Sequence, residues 1–220
     1  FWAVGGFFLL KLVSEWSNLI VIPIGFLWVA SNYIGLTTMY AFNPNPVTQL
    51  SPLFIFLLLR FLETGKLFYS IGAWFLGGLF FNFEMNFGVF IPVIFLVTTL
   101  IAKKEFLGQK NFWLGSVFFA VTILPQILFE LRHQFLMTNS VINFLSHEPR
   151  SPFNLLARFQ SLLLSFYNTF LPTFFNHKIL TASFLFFFVP TLIKSFKYSK
   201  DTLVLICVCY ILIPFLLYLF

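Results

Sequence analysis

Asn82-Phe83-Glu84-Met85-Asn86 sets a carboxylate between two amides where two apolar runs, spanning residues 67 to 102, meet. An ionisable side chain at or near membrane depth is costly unless solvated or partnered, so Glu84 is expected to face a polar cavity. There it could bind sugar hydroxyls or a cation; alternatively it caps a helix N-terminus, where a carboxylate is favoured. In a continued helix Asn82 and Asn86 share one face with Glu84 roughly opposite, whereas an extended turn aligns all three side chains.

A second constellation lies in PQILFELRHQF, starting at Pro125, where Gln126, Glu130, His133 and Gln134 share a helical face through spacings of three and four. Arg132 adds a permanent cation able to grip a phosphate through paired donors, and His133 can donate a hydrogen bond or move a proton. The structural alternative pairs Glu130 internally with Arg132 or His133, the long side chains snorkelling to the interface.

The segment FNPNP at 42 to 46 forms a third group. The residue before each proline is pushed to extended backbone, so this is a rigid elbow whose Asn43 and Asn45 either hydrogen-bond a substrate or serve ordinary turn chemistry. His147, Glu148, Arg150 and His177 show no metal-ligand spacing, and the chain has neither a nucleophile elbow nor a glycine-rich phosphate loop. No metal ligands or cofactor are assigned, with a divalent cation left as an open alternative.

The elements that must position these groups follow from composition. The chain is 60% hydrophobic and 9% charged, with a mean hydropathy of +0.94. Its repeated long apolar runs predict an all-α, polytopic transmembrane bundle, since every backbone polar group in hydrocarbon must be satisfied internally. The alternation of a β-barrel is absent. Apolar runs bounded by turn residues predict about eight helices, near 1 to 13, 18 to 39, 47 to 61, 67 to 82, 86 to 102, 111 to 130, 179 to 194 and 201 to 219, in a single domain covering 1 to 220.

Sidedness comes from the basic residues. One set of alternate loops holds Lys11, Arg60, Lys66, Lys103, Lys104, Lys110, Lys194, Lys197 and Lys200, nine of the thirteen lysines and arginines, and is expected to be cytoplasmic. The opposite side then carries FNPNP, the NFEMN turn and a long external connection at 131 to 178. That parity requires residues 153 to 175 to lie on the membrane as an interfacial helix, which their aromatic residues and Arg158 suit; the alternative is an ordinary transmembrane helix.

Phe1 is no start methionine, and the short apolar stretch that follows lacks a basic flank, so the chain is expected to be a fragment opening inside a truncated helix. The net charge of +6 is spread over short loops, and nucleic acid is not an expected partner. Cys207 and Cys209 stand two residues apart, about 200° around a helix, and do not pair readily. The 36 phenylalanines are expected to fill space against lipid and neighbouring helices, and none is assigned to a site.

The order of a helix ending before AFNPNP, a GAWFLGGLFFNFEMN turn, and LPQILFELRHQF leading into a long external segment resembles integral-membrane glycosyltransferases of the GT-C class. It is similar to the family that includes protein O-mannosyltransferases and the lipid A aminoarabinose transferase, over most of residues 18 to 150. The resemblance implies transfer of a sugar from a polyprenyl-phosphate donor, usually with inversion, to a lipid, glycan or protein acceptor at the external face of a bacterial or archaeal plasma membrane.

It further implies that the catalytic carboxylate lies in the first external loop, upstream of Phe1, and matches Arg132 and His133 to the family's external basic pair. Where this chain has Glu84 the family often has histidine or glutamine. The substrate-binding residues expected are therefore Arg132, His133, Glu130, Glu84 and Asn43, with an upstream acid as general base. Two other classes compete. A transporter or lipid flippase would line a path through the membrane with polar groups on broken helices or inverted repeats, and no convincing repeat is found. An oligosaccharide polymerase or ligase would use a donor carrying a chain rather than one sugar.

Overall fold

Apolar runs punctuated by proline, glycine and lysine fold as helices throughout the computed structural model, which describes residues 1–16, 18–30, 45–147, 155–171, 177–186, 190 and 201–217. The order is α1 (Trp2–Trp16), a 3₁₀ turn at Asn18–Ile20, α2 (Val21–Ala30), α3 (Asn45–Thr64), α4 (Leu67–Phe83), α5 (Met85–Gly88) and α6 (Ile91–Lys103). A second 3₁₀ segment, Lys104–Gly108, leads to α7 (Lys110–Arg132), then α8 (Leu136–His147), α9 (Leu155–Phe170), helical residues 178–186 (α10) and α11 (Thr202–Leu217). Among the described residues there is no strand.

Among the described residues, three helical stretches are long and apolar enough to cross a membrane: Asn45–Thr64, the run Met85–Gly108 and Lys110–Arg132. These three are candidate spans by length and composition, and the described residues do not establish the expected bundle of about eight helices. At 1.5 Å per residue, α4 and α11, of 17 and 16 residues, reach only about 25 Å against a hydrocarbon core of about 30 Å. Shorter apolar helices also include Asn18–Ala30. The surface supports a bilayer setting: Leu114, Val117, Val121, Leu124 and Leu128 recur at helical spacing along α7, all exposed.

Small residues set how the helices meet. Helices α4 and α7 run parallel, and a Cβ on Gly78 would overlap the Thr122 hydroxyl while one on Gly115 would overlap the Ser70 hydroxyl and crowd Trp74. Between α4 and the antiparallel α6, Trp74 stacks on Phe95 with centroids 4.3 Å apart. Around that pair Phe54, Phe61, Phe80 and Phe112 are fully buried, so much of the phenylalanine content packs helix against helix.

The two ends of the bundle differ in charge. At one end Arg60 of α3 donates to Glu15 of α1 and to Glu63, and Asn111 of α7 donates to the Gly65 carbonyl in the α3–α4 turn. Lys11, Lys66, Lys103, Lys104 and Lys110 lie in or near the helix ends gathered there. The opposite end holds Glu84, Gln126 and Glu130. Residues 31–44, including Asn43 and most of FNPNP, fall outside the described residues; Asn45 opens α3.

Helix α11 closes onto α3 through a polar contact inside the apolar core. Ser51 donates to the Val47 carbonyl, which leaves the Tyr210 hydroxyl to donate to Ser51. Tyr210→Phe removes that one bond and keeps the ring against Phe54 and Phe87. The expected cost is about 1 kcal/mol, read as a thermal midpoint a few degrees lower in detergent. An unchanged midpoint would show the bond to be energetically idle.

The connection expected at 131 to 178 forms two described helices, α8 and α9, rather than a loop with a single interfacial one. Helix α9 covers the middle of the segment expected to lie on the membrane. Its Phe159 meets Phe215 of α11 edge-on, and the Tyr167 hydroxyl donates to the Lys178 carbonyl.

Candidate functional site: an apolar cleft with a polar end

The site starts with the way α4 ends. Glu84 leaves helical geometry, with φ −145° and ψ 90°, and its N–H donates to the Phe80 carbonyl. Its own carbonyl then accepts from Phe87 and Gly88, which begins α5 at once. So tight a reversal needs Gly88, where a Cβ would collide with the backbone of Phe81. The break falls between the two amides: Asn82 belongs to α4 and Asn86 to α5.

Asn82 fixes this end against α7. Its amide donates to the Gly78 carbonyl and to the Thr122 carbonyl, both at 2.9 Å. One turn further along α7, the Gln126 amide points at the Met85 sulfur, 3.7 Å away. Asn82 and Gln126 therefore act first as ties between helices.

Helix α7 stops at Arg132 in a Schellman-type turn. The Phe135 N–H donates to the Glu130 carbonyl, with Gln134 and Phe135 both left-handed at φ 55° and 59°. A residue with a Cβ pays for that geometry, which glycine adopts freely. What holds it is Glu130: its carboxylate accepts from the N–H groups of Met137 and Thr138 and from the Thr138 hydroxyl, at 2.6 to 3.0 Å. The first turn of α8 thus receives its cap from the preceding helix.

Between these elements lies an open-sided cleft of about 440 Å³, within the range of small-molecule sites. Phe81 and Met85 form one wall, Ile123, Ile127 and Leu131 of α7 another, and Met137, Thr138 and Ile142 of α8 complete it. Only Gln126, Glu130 and Thr138 bring polar atoms to a lining that is otherwise apolar. Such a space suits an aliphatic or isoprenoid chain with a polar group at one end.

Of the expected site residues, Glu130 lines the cleft, and Glu84, Arg132 and His133 sit at the same end of the bundle without lining it. The single polar face expected from Gln126 to Gln134 does not persist, because α7 ends at Arg132 and the backbone turns left-handed at Gln134. Glu84 is half-buried and its carboxylate makes no cap bond to α5. Glu130 forms no ion pair with Arg132 or His133, since its oxygens are spent on α8.

His133 stacks on Phe129 at 4.0 Å, with Nδ1 2.8 Å from the Phe129 carbonyl. A carbonyl only accepts, so Nδ1 carries the hydrogen, and Nε2 is the acceptor of the neutral ring. Arg132 is exposed at the end of α7. His177 tops α10, its Nδ1 accepting from the Leu180 N–H. Among the described residues no three His, Cys, Asp or Glu side chains gather as a metal site.

Sequence reasoning missed Met85, Met137 and Thr138. Thr138 carried no local signal, because it is the third residue of α8 rather than its N-cap. Glu130→Ala should leave α7 and its neighbours intact while the amides of Met137 and Thr138 lose protection. Hydrogen exchange resolved to residues 136–147 is expected to speed up severalfold there and not in α4; uniform protection would assign the seating of α8 to other contacts.

Comparison with known proteins adds no relative: no protein-family model matches the chain, and neither does any curated protein or solved structure.

Proposed function

We propose that the chain is part of a multi-pass membrane glycosyltransferase of the GT-C kind, whose cleft takes the isoprenoid part of a polyprenyl-phosphate sugar. The observation carrying this reading is the apolar cleft beneath a polar, arginine-bearing end, on the side away from the lysine-rich end. A donor seated there keeps its hydrocarbon among Phe81, Ile127 and Ile142 and brings its phosphate to the helix ends that carry Arg132 and His133. The lysine-rich end is cytoplasmic in this reading, so the cleft opens externally. Helices α4 and α11 then cross as well, tilted or in a locally thinned bilayer.

The reaction transfers the anomeric carbon from phosphate to an acceptor hydroxyl of a lipid, glycan or protein. The acceptor oxygen bonds to that carbon, the bond from the carbon to the phosphate oxygen breaks, and polyprenyl phosphate leaves with the electron pair. A guanidinium beside the phosphate stabilises the charge that builds on it. The proton of the acceptor passes to a carboxylate acting as general base.

Full-length protein in vesicles, given radiolabelled polyprenyl-phosphate monosaccharides and membrane acceptors, is expected to release polyprenyl phosphate as label moves to the acceptor. A photoactivatable isoprenoid analogue is expected to label peptides of α7 and α8. Absence of release from every monosaccharide donor would sink the transferase reading, and turnover only with oligosaccharide donors would move it to the polymerase or ligase class.

A further inference from the structure

We propose that the lysine-rich end of α7 carries a binding site for an anionic phospholipid of the surrounding bilayer, separate from the cleft and independent of the transferase reading. An open groove of about 360 Å³ is lined there by Gly108, Lys110, Trp113, Leu114 and Val117. One wall is fixed. The Trp113 indole N–H donates to the Leu107 carbonyl at 2.8 Å, and its ring meets the fully buried Phe112 edge-on, so 56% of the tryptophan stays exposed in a set orientation.

The groove is apolar along its length and cationic at its mouth. Leu114 and Val117 are half exposed and continue into Val121, Leu124 and Leu128 on the face of α7 that meets lipid. Lys110 stands at the mouth, and exposed Lys103 and Lys104 flank the start of the short 3₁₀ segment leading to it. Glu105 is the one acidic residue from 103 to 110, which leaves this stretch with a net charge of +2. At Gly108 nothing lies within 4 Å of where a Cβ would stand, so the mouth is unobstructed.

Charge complementarity and shape together select the occupant. An acyl chain fits against Trp113, Leu114 and Val117 because the groove is continuous with a lipid-facing strip, and a tryptophan at this level is a usual interfacial anchor. A headgroup with net negative charge gains from the lysines what a zwitterionic one does not. A soluble anion would meet the lysines but leave the apolar length of the groove unused.

The test uses the full protein in vesicles of phosphatidylcholine and phosphatidylglycerol, with bromine on the acyl chains of one lipid at a time, reading quenching of Trp113 as the difference from Trp113→Phe. Brominated phosphatidylglycerol is expected to quench Trp113 more than its mole fraction predicts, with a preference of roughly fivefold per lysine engaged. Lys103→Gln, Lys104→Gln and Lys110→Gln combined should abolish the preference. Gly108→Leu, which adds bulk at a lining position where a Cβ has open space, should lower quenching by both lipids. Equal quenching by the two lipids, or a preference surviving the triple substitution, overturns the proposal. So does full quenching in Gly108→Leu, and unchanged elution and circular dichroism confirm that the variants are folded.

Discussion

Gly78→Val is expected to unseat α7 from α4 and lower stability by about 3 kcal/mol or more, the upper range for overpacking a close contact. A Cβ at 78 overlaps the Thr122 hydroxyl, and behind it stand the Thr122 Cβ at 2.9 Å and the Phe119 carbonyl at 3.1 Å. The first of these is a side-chain tip; the last is helix backbone and cannot step aside. Two comparisons isolate the cause. Gly108→Val, at a position with open space, should shift the thermal midpoint little. Thr122→Ala should recover part of the loss in a Gly78→Ala background, since the two sites share one contact and their effects will not add. Equal midpoints for Gly78→Val and Gly108→Val would mean that the helices do not approach this closely.

Arg132→Ala should depress sugar transfer by about two orders of magnitude, the scale seen when a group that stabilises developing charge is removed. The residue is exposed, so folding should be little affected and the thermal midpoint serves as the control. Arg132→Lys sharpens the reading. It keeps the charge and loses the paired donors, so partial activity is expected if phosphate is gripped by both arms of the guanidinium. Full transfer by Arg132→Ala would remove this residue from the proposed donor site while leaving the cleft assignment to the isoprenoid labelling.

How much of this was legible in the sequence depended on whether the deciding force was local. The helices expected at 67 to 82 and 111 to 130 followed from apolar run lengths and fall within two residues of those observed, whereas the one expected at 86 to 102 is split by a turn at residues 89–90 into α5 and α6. Gly77 and Gly78 sit at close approaches whose partners, Ile91 and Thr122 respectively, are a matter of tertiary packing. The residues from 131 onward read poorly because α8 draws its cap from Glu130, seven and eight residues upstream of the amides it serves. No box of neighbouring residues announces such a cap. The same cap spends the carboxylate that the polar stripe had offered to a substrate. Asn43 lies outside the described residues.

The α4–α7 contact has a mechanical consequence. Its close points, Ser70 with Gly115 and Gly78 with Thr122, are eight residues apart on one helix and seven on the other, a baseline of about 11 Å. Two pegs that far apart suppress both sliding and pivoting, and Asn82 adds a third by gripping a carbonyl on each helix. The pair therefore behaves as one stiff beam, so a tilt imposed where Asn111 holds the α3–α4 turn reappears as a displacement at Gln126 and Met85.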